Sequence, residues 1–253
     1  MPQLAIDFTT DYNAIHTHRH DCRIAFEPEG HKYIVDGDIV CDSVTQVVSS
    51  FFEKFDADYW AARKATPDCP AEALKARWAQ KGEQARQLGT LLHRRIEEHY
   101  LGLDPEPEAL SEPGFRHFLA FDAQCPLTPY RSEWPVFSRR HRIAGTIDFL
   151  AFDGSKFEIY DWKRSTKVCD AFGRPIVNSY GKHAFSPIGH IPDTTYHHYA
   201  LQLSFYRHIL AAEYGIEVAA CHLGVFHPDM AAYHIVDVPY LESEVTSILN
   251  SRL

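Results

Sequence analysis

The sequence predicts an α/β protein: a central mixed β-sheet with helices on both faces and a β-ribbon at its N-terminal side. Three observations carry this expectation. Ala144–Ser165 (AGTIDFLAFDGSKFEIYDWKRS) reads as a hairpin, because β-branched and aromatic residues flank the turn-forming dipeptide Asp153-Gly154. Both faces of that hairpin are apolar, with Leu150, Phe157 and Ile159 on one and Ile147, Phe149, Ala151, Tyr160 and Trp162 on the other, so each needs helices to cover it. Long helical stretches, Ala71–Leu101 and Thr195–Tyr214, stand on either side of it in the chain.

Residues 1–21 show no periodicity and read as a flexible lead-in, in which His16, His18 and His20 alternate. From 22 to 253 the chain reads as a single domain. Cys22–Phe26 and Lys32–Val35 are short strands around Pro28, Glu29 and Gly30, and Asp36-Gly37 marks the next tight turn. Ser43 is placed to cap a helix through Phe52, and Asp56 to cap a second one carrying Tyr59 and Trp60. After Pro70 the composition is helical to Leu101, with Gly82 as a point of interruption and Gly102 as the stop. Leu88, Leu92 and Ile96 form its apolar stripe, and Gly89, His93 and Glu97 follow one another at i, i+4 beside it.

Leu103–Pro113 is a proline-rich loop, and a helix follows over 114–124. Tyr130–Phe137 and Arg142–Phe152 are consecutive strands. Glu133 in the first of them is a surface residue by default, although it can point to the acidic end of the hairpin. Cys169–Thr195, rich in Gly and Pro, is a long loop, read either as the wall of a substrate channel or as a surface insertion. Tyr199, Gln202, Leu203, Tyr206 and Leu210 share one face of the next helix. Val218–Phe226 and Tyr233–Val238 are closing strands and Leu241–Leu249 is a terminal helix.

The hairpin also carries the chemistry. A two-residue loop sets Phe152 opposite Ser155, Asp148 opposite Ile159 and Thr146 opposite Asp161, so Asp161 and Lys163 share a face and Asp148 is the diagonal neighbour of Asp161. Two carboxylates this close raise each other's pKa unless a cation lies between them, which invites a divalent metal. Lys163 can then orient, or help deprotonate, a bound water. A D-x-K by itself is more often a surface ion pair, and Asp148 is what weighs against that here.

GTIDF followed by EIYDWK resembles the PD-(D/E)XK nuclease core, in its RecB-like branch. That branch carries a histidine on an earlier helix and a Q-x-x-x-Y on a later one, and GTLLHRRIE (89–97) and QLSFY (202–206) are similar to both. Looser similarity to the mitochondrial, phage and viral exonucleases of the branch begins near His31. The resemblance implies a metal-dependent deoxyribonuclease that hydrolyses phosphodiester bonds with Mg²⁺ or Mn²⁺, foremost an exonuclease acting on single-stranded DNA or DNA ends. It implies that His93, Asp148, Asp161 and the Trp162 carbonyl hold the metal, and that Lys163 positions the nucleophile. Glu97 is expected to contact metal or water or to orient His93 or a nearby Arg. Gln202 and Tyr206 are expected to touch the nucleic acid or support the catalytic groups, with Tyr180 and Tyr206 as candidates for stacking on bases. Relatives that bind an iron–sulfur cluster have a tight cysteine group after the core. Only Cys221 follows the Gln202–Tyr206 block, so no cluster is expected.

The formal charge of −9 means that any nucleic-acid contact is a local basic patch. The candidates are Arg94 with Arg95, Arg139 with Arg140 and Arg142, and Lys163 with Arg164 and Lys167, runs that are as readily plain solvated faces. Six scattered cysteines without a C-x-x-C read as reduced thiols. With no apolar run of membrane-spanning length and no signal-peptide pattern, the expectation is a soluble intracellular protein whose partner is nucleic acid rather than membrane. Two rival readings stand beside the nuclease. One is a non-catalytic nucleic-acid-binding or assembly subunit on the same fold, and the other is a metal phosphohydrolase built on the His20-Asp21 dipeptide.

Overall fold

The computed structural model describes residues 11–252 except Pro28 and His31, so positions 1–10 of the expected lead-in lie outside the described residues. Helix α1 (Tyr12–Ile15) and a 3-10 turn (Asp21–Arg23) lead into β1 (Ile24–Glu27), β2 (Lys32–Val35) and β3 (Ile39–Ser43). Five helices follow: α2 (Val44–Ser49), α3 (Ala57–Lys64), α4 (Ala71–Tyr100), α5 (Pro107–Ser111) and α6 (Pro113–Gln124). Then come β4 (Pro129–Ser138), β5 (Ile143–Phe152) and β6 (Phe157–Lys163). After a long connection, α7 (Thr195–Ile209) ends in a π turn (Leu210–Tyr214), and β7 (Val218–Val225), β8 (His234–Val238) and α8 (Glu242–Asn250) complete the chain.

Local chemistry accounts for the helix starts. Ser43 and Gln46 form a capping box at α2, and the Asp56 carboxylate accepts the Tyr59 amide at α3. Gly82 does not interrupt α4, which runs unbroken for 30 residues. The proline-rich loop contains α5, started by Pro107 in the first turn, where its missing N–H costs nothing.

The strands form an open, mixed eight-stranded sheet in the order β1-β2-β3-β5-β6-β7-β8, with β4 paired to β5. β5 is where this sheet branches. β4 runs antiparallel along one edge of it, while the other edge is shared: β3 pairs in parallel with Ile143 and Ala144, and β6 pairs antiparallel with residues 149–152. Residues 145–148 lie between these two partners, and Asp148 is among them. The N-terminal ribbon is therefore part of the main sheet rather than an appendage to it.

Helices cover both faces, as the apolar pattern requires. Leu150 and Ile159 are buried with side chains of α2, α7 and α8, and Phe149, Ala151, Tyr160 and Trp162 with Leu92 and Ile96 of α4 and three phenylalanines of α6. Ile147 departs from the expected alternation and packs in the first cluster. The change of side falls at Asp148, where Glu133 on the facing strand adopts φ +44 and the β4–β5 ladder skips a pair.

Two sequence expectations need correction. The hairpin loop has four residues, not two: Phe152 pairs with Phe157, because Asp153 Oδ1 accepts the amides of both Ser155 and Lys156 and closes a wider turn. The pairing thus moves by two residues, which keeps the faces of the paired residues 149–152 and, continued past the ladder, sets Asp148 level with Asp161. The lead-in is also docked over its described part. Tyr12 is buried and donates to Ser132 Oγ at 2.9 Å, and Asp21 accepts from Arg131 at 2.7 Å and from Trp134 Nε1 at 2.8 Å. Among the described residues no helix is long and apolar enough to cross a membrane.

Candidate metal centre

His93, Glu133 and Asp148 converge from three elements, and ligand-capable atoms of the three lie within 4.8 Å of one another. His93 reaches them from the last turns of α4, which Leu92 and Ile96 anchor in the core on the neighbouring stripe. His93 Nε2 donates to the Trp162 carbonyl at 2.7 Å, which turns Nδ1 toward Glu133 Oε1 and Asp148 Oδ2, each at 3.6 Å. Burial alone lowers the imidazole's pKa, but the Asp148 and Glu133 carboxylates outweigh it and push it up to about 9. Asp148 in turn accepts the Trp162 amide at 2.9 Å through Oδ2, so the backbone of one β6 residue orients both His93 and Asp148.

Asp161 lies directly beside this group but is only 1 % exposed. Lys163 forms an ion pair with it and stands 3.7 Å from Asp148 Oδ2. Burial raises the Asp161 carboxyl, the Asp148 charge adds to the rise, and Lys163 and His93 oppose it. Burial pulls the Lys163 ammonium down, yet the Asp161 and Asp148 carboxylates more than reverse this and raise it. Breaking such a buried pair by removing one partner costs about 3–5 kcal/mol.

The later motif supports this pair. Gln202 on α7 donates from Nε2 to Asp161 Oδ1 at 3.4 Å and to the Tyr206 hydroxyl at 3.3 Å. The Tyr206 ring lies against Gly145, where an added Cβ would come within 2.7 Å of it. Gly145 of GTIDF is thus the space that Tyr206 of QLSFY fills. With 3 % of its surface exposed, Tyr206 offers no face to a base, which corrects the expectation that it stacks on the substrate.

The other sequence candidates divide. Glu97, whose carboxyl is raised by burial and by Glu133, receives a hydrogen bond from Ser132 Oγ at 3.4 Å and lines a cavity of about 900 Å³ that also includes His93 and Glu133. Tyr180 is 92 % exposed on the long connection, and among the described residues its ring makes no contact with the centre. Gly89 has open space where its Cβ would be, so no backbone comes close there. Half of the expected basic residues are neutralised: Lys163 is on the carboxylates, Arg164 faces Glu112, Arg94 pairs with Glu98 and Arg139 with Asp36. Asp21 is occupied by Arg131 and Trp134, which removes the carboxylate from the His20-Asp21 reading.

Glu133 is the residue that sequence reasoning left at the surface. A left-handed, non-glycine residue inside a strand stores about 1–3 kcal/mol of strain, a cost that gathers at functional sites. No local signal announces that backbone; the only hint was its position on the strand preceding the acidic hairpin. Two carboxylate oxygens and an imidazole nitrogen are a donor set that fits a divalent cation, with oxygen ligands suiting Mg²⁺ and the imidazole tilting the preference toward Mn²⁺. Scanned against known protein families and against curated protein sequences, the chain matches neither.

Proposed function

We propose that the chain is a metal-dependent deoxyribonuclease with a RecB-like PD-(D/E)XK core, acting on single-stranded DNA or DNA ends. The observation that carries the reading is the His93, Glu133 and Asp148 group set against the buried Asp161–Lys163 pair. Three acidic groups, one imidazole and one ammonium on a branching sheet edge are the composition that metal-assisted phosphodiester hydrolysis needs. A structural ion-pair network has no use for a strained glutamate beside them.

His93, Glu133 and Asp148 would hold Mg²⁺ or Mn²⁺, with Asp161 and the Trp162 carbonyl as further oxygen donors. When bound, the cation supplies Lewis acidity and lowers the pKa of water. The Lys163 ammonium, fixed between Asp161 and Asp148, orients the attacking water and offsets charge gathering on the phosphate. Gln202 and Tyr206 hold Asp161 in place from behind. The cavity along α4, lined by Arg86, Gln87 and Thr90 before it reaches His93 and Arg94, is the path for the strand.

The test is cleavage of end-labelled single-stranded DNA, linear and circular, with Mg²⁺, Mn²⁺ or EDTA. Loss of the linear substrate alone, abolished by EDTA and by Asp161→Ala, is the expected result. Cutting of the circle would make the enzyme an endonuclease, and inertness toward single strands, duplex and RNA alike would overturn the reading.

A further inference from the structure

The first two-thirds of α4 do something unusual for a 30-residue helix: from Ala71 to Leu91 no side chain is buried. This segment packs against α3, where only Ala61 is buried, so the two helices project from the core with little to hold between them. What they present instead is aromatic. Phe55 is 67 % and Tyr59 49 % exposed, with Trp60 and Trp78 half-buried beside them. The Phe55 and Trp78 rings meet edge to face at 5.6 Å, and Tyr59 and Trp60 at 5.3 Å.

Cations sit directly on these rings. Arg63 lies 5.6 Å over Tyr59 and Lys64 5.6 Å over Trp60. Neither forms an ion pair among the described residues, in contrast to the neutralised patches near the centre. Lys81, likewise unpaired, follows Trp78 by one turn. Phe55, Trp60, Lys64 and Trp78 enclose a cleft of about 290 Å³. Arg63 also donates to the Tyr59 hydroxyl at 3.0 Å, and Glu53, Asp56 and Asp193 line the adjoining cleft with Lys54 and Lys182. In a chain of net charge −9, this is a ring-lined surface whose Arg63 and Lys64 are free of ion pairs among the described residues.

Its place on α4 selects the occupant. Trp78 precedes His93 by fifteen residues on one unbroken helix, about 22 Å along its axis and about 60° round it. The 900 Å³ cavity, beginning at Glu83, fills the interval. We infer that the Phe55, Tyr59, Trp60 and Trp78 cluster is a stacking platform for unpaired bases of a single strand, about six stacked nucleotides from the phosphate held at the metal centre. Aromatic faces take any base, and Arg63, Lys64 and Lys81 supply the charge that phosphates require. An unpaired strand supplies stacking faces and phosphates together along one chain, which matches rings and cations set side by side, whereas a second copy of this acidic chain meets them through scattered side chains. The inference rests on the nuclease reading only for the direction in which the strand runs.

The experiment is binding without turnover. Intrinsic tryptophan fluorescence is titrated with oligo(dT) of 4, 8 and 20 nucleotides in EDTA, and the affinity for labelled (dT)20 is measured by anisotropy for wild type, Trp78→Ala and Trp78→Phe. Trp134 and Trp162 are buried, so quenching reports Trp60 and Trp78. The expected result is strong quenching by the 20-mer and little by the 4-mer, a Kd raised at least about fivefold by Trp78→Ala, and recovery with Trp78→Phe. Trp78 supports no core, so the variants stay folded by circular dichroism. Unquenched fluorescence with an unchanged Kd overturns the inference even if the enzyme cuts DNA. So does self-association lost in Trp78→Ala while (dT)20 binding is retained. Quenching by a protein that cleaves nothing keeps the platform and removes the nuclease.

Discussion

The two ends of α4 are one helix under opposite constraints. At its C-terminal end Leu92 and Ile96 are buried with Phe149 and Trp162 of the sheet, and His93 is held by a 2.7 Å hydrogen bond to the Trp162 carbonyl. At its N-terminal end nothing is buried, and the rings beside it stay exposed or half-buried. The difference teaches where precision is needed. On the proposed reading, groups that meet a cation and a reacting phosphate are the ones locked by packing, because a small misplacement there is costly. The proposed strand platform needs only a face and a charge.

This contrast can be broken at several points. The largest effect is expected from Lys163→Ala, which leaves the buried Asp161 carboxylate without its cation. Stability should fall by about 3–5 kcal/mol in a urea melt, and cleavage should be lost while DNA binding persists. Normal stability with full activity would show that the pair is ornamental. Next comes Gly145→Ala, whose Cβ would press on the Tyr206 ring at 2.7 Å. A cost of about 1–3 kcal/mol is expected, and in a double-mutant cycle with Tyr206→Ala the two losses should add to less than their sum. Strict additivity would separate the two motifs.

Gln202→Ala sharpens the comparison without unfolding the protein. It removes the hydrogen bonds to Asp161 and Tyr206, and single-turnover cleavage should fall about 10–100-fold at an unchanged melting temperature. The smallest effect belongs to the free end. Lys75 bridges Asp58 at 2.8 Å and Glu72 at 2.7 Å, yet both carboxylates lie in solvent and Lys75 is itself partly exposed, so Lys75→Ala should leave the unfolding midpoint where it is. A marked loss there would mean that the projecting helices are held more firmly than their exposure implies.

Much of this was legible in the chain, for reasons that differ from residue to residue. Ser43 and Asp56 announced their helices because capping is local. The acidic face of the hairpin survived a mistaken loop length because a shift of two residues returns each side chain to its own side, whereas a shift of one would have moved Asp148 and Asp161 away from the centre. Glu133 stayed hidden because its φ of +44 is imposed by the surrounding sheet. Whether Tyr206 would face a base or the core was not legible locally, because the space its ring fills is opened by a glycine 61 positions earlier. The docking of Tyr12 and Asp21 was invisible for the same reason, since both are held by β4 from more than a hundred residues away.

The most direct measurement is a Mn²⁺ titration followed by electron paramagnetic resonance on wild type and Asp148→Ala, with cleavage of a labelled single strand read in the same samples. Wild type should bind Mn²⁺ and cut as the ion binds, and Asp148→Ala should lose both together. Cleavage that persists without bound metal, or an Asp148→Ala variant that still cuts, would contradict a metal centre built on His93, Glu133 and Asp148.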